Sequence, residues 1–213
     1  MELYTYYRST SSYRVRIALA LKGLDYQALP INLIAPPGGE HRQPAYLAIN
    51  PQGRVPALRT DEGDVLVQSP AIIEYLEERY PQVPLLNADL AIRAHERGVA
   101  ALIGCDIHPL HNVSVLNKLR QWGHDEGQVT EWIGHWISQG LAAVERLIGD
   151  EGFCFGATPG LADVYLIPQL YAAERFNVSL QAYPRICRVA GLAAGHAAFQ
   201  RAHPANQPDT PAG

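Results

Sequence analysis

The chain has 213 residues, 17 basic and 21 acidic side chains, a formal net charge of −4 and 47% apolar residues. That is enough chain for a sizeable core in one domain or two small ones, with the balance of a globular protein rather than a disordered one. The slight acidity offers no basic field to nucleic acid or an acidic membrane, and no apolar stretch is expected to approach the ~18 residues that span a bilayer.

ELYTYY, residues 2–7, reads as a short strand, and YRVRIALALKG, 13–23, as a helix stopping at Gly23. YQALPINL, 26–33, reads as a second strand, followed by a long Pro/Gly loop, 34–53, with room for a turn of helix. VPALRTDEGDVLVQS, 55–69, reads as a hairpin turning at DEGD. SPAIIEYLEERY, 69–80, is a helix with Ser69 as N-cap and Pro70 at the first position, where its missing N–H costs nothing. The first half is therefore β-α-β, loop, β-β-α. After YPQVPLLNADL, 80–90, strand signals stop, and helices are expected at about 88–121, 126–149, 161–176 and 184–201, with NQPDTPAG as a polar tail. This predicts a mixed α/β domain over 1–82 and an all-helical one over 88–213.

Cys105, Cys154 and Cys187 are an odd, scattered set without a C-x-x-C pair. They argue against a disulfide framework and fit a reducing compartment. The opening MELYTYYRS lacks a charged stretch followed by an apolar one, so no signal peptide is expected and the protein is placed in the cytoplasm. Cys105 is expected to be buried packing. HPLH sets His108 and His111 at i, i+3, but no nearby Glu or His completes a ligand set, and no metal is expected.

YYRSTSSYRV, 6–15, holds four hydroxyls (Ser9, Thr10, Ser11, Ser12) between Arg8 and Arg14. Ser11 or Ser12 stands where an N-cap belongs. Capping leaves Arg8 unexplained, because a cation beside a helix N-terminus faces the positive end of its dipole. An anion or thiolate between them would reconcile the two. The loop lacks the glycines of a phosphate-binding loop and the G-x-S-x-G elbow of serine hydrolases. The helix behind it is apolar on most sides, so it is expected to be buried, with its start at the cleft between the two halves.

Taken in order, YYRSTSSYRVRIALALKGLDY, PINL, NPQGRVPAL, QSPAIIEYLEERYP, HPLHNVSVL, AERF and HPANQPDTP resemble the zeta class of the soluble glutathione transferases, which includes maleylacetoacetate and maleylpyruvate isomerases of aromatic-compound breakdown. The resemblance covers nearly the whole chain. It implies the glutathione transferase fold: an α/β thioredoxin-like N-terminal domain plus an all-α C-terminal domain, as a homodimer. It implies a cis peptide before Pro56, and glutathione contacts at Ser9, Thr10, Ser11, Arg14, His41, Val55, Gln68, Ser69, His108, Asn112, Val113 and Ser114. Ser9 falls on the activating serine, with Thr10 and Ser11 secondary. Some relatives carry a cysteine at the position of Ser11, so here any thiolate must come from glutathione. His41 and His108 stand where some relatives have Gln, and Gly160 replaces a usual Ser/Thr cap while Asp163 is kept.

The activity so implied is cis–trans isomerisation of maleylpyruvate, favoured on overall similarity, or maleylacetoacetate to the fumaryl product, by thiolate addition, rotation about the resulting single bond and elimination. A dicarboxylate substrate calls for planar cations, and Arg8 and Arg175 are the candidates. His108 is a further candidate for the keto or enolate oxygen, or a satisfied helix histidine. The competing readings are a general glutathione transferase or dehalogenase for small electrophilic acids, and a non-catalytic binding module of the same fold.

Overall fold

A computed structural model describes residues 1–211. They divide into two compact units, Met1–Pro84 together with the segment from Gly195 onward, and Leu85–Ala194. The second domain expected over 88–213 thus differs at its C-terminal end. The reason is packing: helix Ala197–Ala202 lies against helix Thr10–Leu21, and Arg16 Nε donates to the Ala202 carbonyl at 3.1 Å.

The first unit runs β1 (Glu2–Thr5), α1 (Thr10–Leu21), β2 (Gln27–Pro30), α2 (Pro44–Leu47), β3 (Ala57–Arg59), β4 (Val65–Val67) and α3 (Ser69–Arg79). Its sheet has the order β2-β1-β3-β4, with β2 parallel to β1 and the other pairs antiparallel. This is the expected thioredoxin-like arrangement, including the hairpin at Asp61–Asp64. Residues alternate across the sheet: Leu3 pairs with Leu58, and Tyr4 with Ala57. The face of Tyr4, Tyr6 and Ala57 closes over Val55 and Tyr46 into one buried cluster. α3 packs on β3, β4 and α1.

α1 is buried along its length, as its all-round apolar sequence predicts; even Arg14, Arg16 and Lys22 are enclosed. Lys22 is satisfied by Glu77 at 2.6 Å and by the Tyr80 and Val83 carbonyls. The helix stops at Gly23, whose φ of +67° is the left-handed turn that glycine adopts without penalty. There the Leu24 and Gly23 N–H groups return to the Leu19 and Ala20 carbonyls.

The second unit contains α4 (Leu90–Ala101), α5 (Val113–Gln121), α6 (Glu126–Leu147), α7 (Leu161–Arg175) and α8 (Pro184–Ala194); α9 (Ala197–Ala202) belongs to the first. The single helix expected over 88–121 is broken. Pro109 has no N–H to return to the preceding turn, so Leu102–Ile107 widens to a π-helical turn, in which His108 N–H reaches Ile103 O. A 3₁₀ turn, His108–His111, and extended Asn112 follow before α5. By length and mean hydropathy alone Leu90–Gln121 is apolar enough to cross a membrane, contrary to the sequence expectation. In this unit α4 instead packs on α6 and α7, with Val99, Ala100, Ile103 and Ile107 buried. The helix expected at 184–201 is likewise two, α8 and α9, separated at Gly195–His196.

Candidate active site

The loop between β1 and α1 carries Arg8 and Ser9. Ser9, not Ser11 or Ser12, is the N-cap of α1: its backbone is extended and its Oγ accepts the Ser12 N–H at 3.2 Å. Thr10, Ser11 and Ser12 are already helical, so of the four hydroxyl residues only Ser9 stands at the cap. Capping occupies an acceptor position of Ser9 Oγ and leaves its O–H free to donate. Ser12 is fully buried and Thr10 nearly so, while Ser9 and Ser11 are half-buried. Arg8 is half-buried and makes no hydrogen bond or ion pair among the described residues. α1 has no acidic residue in its first turn. The helix dipole and Arg8 therefore present the same sign of charge, which suits an anion. Arg14 is a core arginine, 2% exposed.

Arg16 organises this loop from beneath. At 1% exposure it donates to Thr5 Oγ1 (3.1 Å), Tyr6 O (3.3 Å), Tyr7 O (2.9 Å) and Ala202 O. Asp209 accepts the Tyr7 N–H at 2.8 Å. No local signal in the sequence gives either residue this role: Arg16 is one charge on an apolar helix, and Asp209 lies in a polar tail. That tail is ordered at Gln207–Thr210, with Gln207 buried.

A second group forms around the Val55-Pro56 peptide, which is cis as the resemblance implied; Pro36-Pro37 is cis as well. Val55 is buried in the cluster that includes Tyr6 and Tyr46, with Tyr7 packed against it, so it neighbours the strand end leading to Ser9. Tyr46 Oη and Asn50 Nδ2 both donate to Arg54 O, fixing the residue before Val55. Gln68 Nε2 donates to Gln52 Oε1 at 2.6 Å, tying this loop to the start of α3. The cap of α3 is Gln68 rather than Ser69, with φ +72° and no side-chain cap; Ser69 is the first helical residue and buried. A left-handed backbone at a non-glycine residue costs about 1–3 kcal/mol and is commonest where a site requires it. Here it leaves the Ser69 N–H among the unpaired first-turn donors. His41 lies in the short turn Glu40–Arg42, its backbone carbonyl against Gly53. Burial, reinforced by Arg42, pushes the His41 imidazole below the usual histidine range.

In the second unit His108, Asn112, Val113 and Ser114 line the turn into α5, and Arg175 ends α7. Asn112 Oδ1 accepts from Ser114 N (3.1 Å) and Ser114 Oγ (3.0 Å), capping α5. Val113 is exposed. The rings of His108, His111 and Phe176 run edge to face at 5.4 and 5.6 Å, and the Arg175 guanidinium lies 5.3 Å from the Phe176 ring. His108 and Arg175, far apart in sequence, are thus joined by one aromatic line. His111, buried, bonds Gln169. Among the described residues no three His, Cys, Asp or Glu side chains gather as a metal set. Cys105, expected buried, is exposed, on the face of the π-helical turn away from buried Ile103 and Ile107; Cys154 is the buried cysteine.

Gly160 caps α7 for a visible reason. A Cβ there would stand 2.9 Å from Leu85 O, which accepts the Leu161 N–H at 2.7 Å. Asp163 holds the Gly160 N–H at 2.8 Å and the Cys154 N–H at 3.0 Å, half of a capping box.

Residues 3–84 match the glutathione S-transferase N-terminal domain model and residues 128–188 the C-terminal domain model. The chain is 79% identical to the maleylacetoacetate isomerase of Pseudomonas aeruginosa, with all of both chains covered. A solved structure described as the holo form of maleyl pyruvate isomerase, a bacterial zeta-class glutathione S-transferase, is 47% identical with a TM-score of 0.94, covering 99% of this chain and 100% of that one. The maleylacetoacetate isomerase of Anaeromyxobacter dehalogenans 2CP-1, solved with glutathione in its active site, is 44% identical with a TM-score of 0.88, covering 99% and 97%.

Proposed function

We propose, from the premise that this chain belongs to the glutathione S-transferase family and to its zeta class, that it is a glutathione-dependent cis–trans isomerase of maleyl keto acids. The full-length similarity to a maleylacetoacetate isomerase at 79% identity, against 47% to a maleylpyruvate isomerase, favours maleylacetoacetate as the first substrate.

The observation that carries the chemistry is the cap of α1. Ser9 Oγ takes the Ser12 N–H and keeps its own proton to donate, at a helix start with Arg8 beside it and no acid in the first turn. Those groups fit a thiolate, whose ionisation hydroxyl donors and a helix N-terminus favour. Glutathione, when bound, supplies that thiolate as the nucleophile that adds beside the keto group and is expelled after rotation. Ser9 holds the sulfur ionised before addition and after elimination. Val55, Gln68 and the Ser69 N–H are assigned to the tripeptide, with His41 beside them. Arg8 is assigned to a substrate carboxylate; Arg175, exposed at the end of α7, is the family-matched cation of the second unit. His108, Asn112, Val113 and Ser114 keep their assignment as glutathione contacts.

The reading extends to a cytoplasmic homodimer, supported by the family and by three free cysteines. Light scattering on the purified protein checks the dimer. The activity is tested by following absorbance of maleylacetoacetate and maleylpyruvate with and without glutathione. Glutathione-dependent loss of a cis substrate is the expected result; conjugation of electrophilic acids without any isomerisation would replace this reading with a general transferase.

A further inference from the structure

The peptide group joining Tyr6 and Tyr7 is held at both ends. Its N–H donates to Asp209 Oδ2 at 2.8 Å, across 202 positions of sequence. Its carbonyl accepts the Ser9 N–H at 2.9 Å and Arg16 Nη1 at 3.3 Å. One amide therefore connects a carboxylate of the C-terminal segment to the backbone of the serine that caps α1.

The segment that carries Asp209 is itself fixed. The Gln207 amide donates to the Arg201 and His203 carbonyls at 3.0 and 2.9 Å, and Thr210 Oγ1 donates to Pro204 O. Asn206 Nδ2 reaches Gln200 O at 2.7 Å. Arg16 ties Ala202 to the same loop. All of these residues lie in the first unit.

We infer that Asp209 is a positioning residue for the thiolate site: through the Tyr6–Tyr7 amide its carboxylate sets the place of the Ser9 N–H, and with it the direction of the Ser9 hydroxyl. A hydrogen bond to a charged acceptor is about twice as strong as a neutral one, and polarising the amide N–H makes its carbonyl a better acceptor for Ser9. The carboxylate acts from beyond the amide, without occupying the Ser9 hydroxyl. Tyr6, Tyr7 and Glu40 are the other titratable groups lining the cavity beside Asp209. This inference rests on the reading that Ser9 stabilises a thiolate.

The test titrates the ultraviolet absorbance of bound glutathione thiolate against pH, which needs no keto acid and so stands even if isomerase activity fails. Asp209→Ala should raise the thiolate midpoint by about half a unit or more and lower turnover about tenfold, with the glutathione KM within about twofold. Asp209→Asn, whose amide oxygen still accepts the Tyr7 N–H but without the charge, should raise the midpoint less than Asp209→Ala and keep most turnover. Asp25→Asn, which breaks the exposed Asp25–Arg201 pair on the same segment, should change neither. An unmoved midpoint in Asp209→Ala would overturn the assignment, as would Asp209→Asn matching Asp209→Ala or Asp25→Asn shifting the midpoint equally. Should the alanine variant not fold, Asp209→Glu, which displaces the oxygen by a methylene, takes its place with the same expected rise.

Discussion

Ser9 Oγ accepts the Ser12 N–H at 3.2 Å, so the serine assigned to the thiolate is also the cap of its helix. The two roles separate under substitution. Ser9→Ala should cost about 1 kcal/mol of stability, lower turnover and move its pH profile alkaline. Ser9→Asp restores a good cap but replaces a donor with an anion. It should recover the stability measured by urea denaturation while raising the thiolate midpoint beyond that of Ser9→Ala. Equal midpoints in both variants and the wild type would remove Ser9 from thiolate activation.

Arg8 carries no hydrogen bond or ion pair among the described residues, so its removal leaves no partner stranded. Arg8→Ala should therefore be near neutral for stability but raise the keto-acid KM about tenfold or more, since a hydrogen bond to a charged group contributes about 1.5–3 kcal/mol. Steady-state kinetics with the substrate and glutathione varied in turn checks this; a change in the glutathione KM alone contradicts the assignment.

Gly160→Ser follows propensity in one direction and geometry in the other. Serine is the better cap by only a few tenths of a kcal/mol, whereas the new Cβ meets the Leu85 carbonyl at 2.9 Å. The variant should lose about 1–2 kcal/mol, seen as a lower urea midpoint at unchanged slope. A gain in stability would mean that the Leu85 backbone yields freely.

His41 should titrate below the ordinary 6.5, because burial and Arg42 disfavour its cation. The folded chain then binds fewer protons than the unfolded one as pH falls below 6.5. The stability tied to neutral His41 is fully present above that pH and is lost as pH falls through the folded value. Proton NMR of the His41 ring checks the midpoint. His41→Gln should flatten this part of the acid-side loss of stability.

Periodicity and punctuation made most elements legible: Gly23 ends α1, Gly63 turns the hairpin, and the all-round apolar run of α1 announces its burial. The seven family segments pointed to Ser9, Val55, Gln68 and Ser69 as neighbours of one tripeptide site. Cap positions were less legible. Ser9, Ser11 and Ser12 have the same local preference, and the extended backbone at Ser9 is what makes it the cap. The same holds for Gln68, where a left-handed backbone displaces the cap one residue ahead of Ser69.

The sequence by itself determined the two kinds of secondary structure, the absence of a cysteine in the Ser9 loop and hence a nucleophile brought from outside. Those properties are local: they depend on side-chain chemistry and on spacings of a few residues. Only the tertiary structure decided that Arg16 bonds Thr5, Tyr6, Tyr7 and Ala202, that Asp209 reaches the Tyr7 N–H, and that the segment after Gly195 belongs with the first unit. Each of these satisfies a polar group of one segment with a partner from another. Which partner is in reach depends on how the chain returns on itself, and no local propensity encodes it.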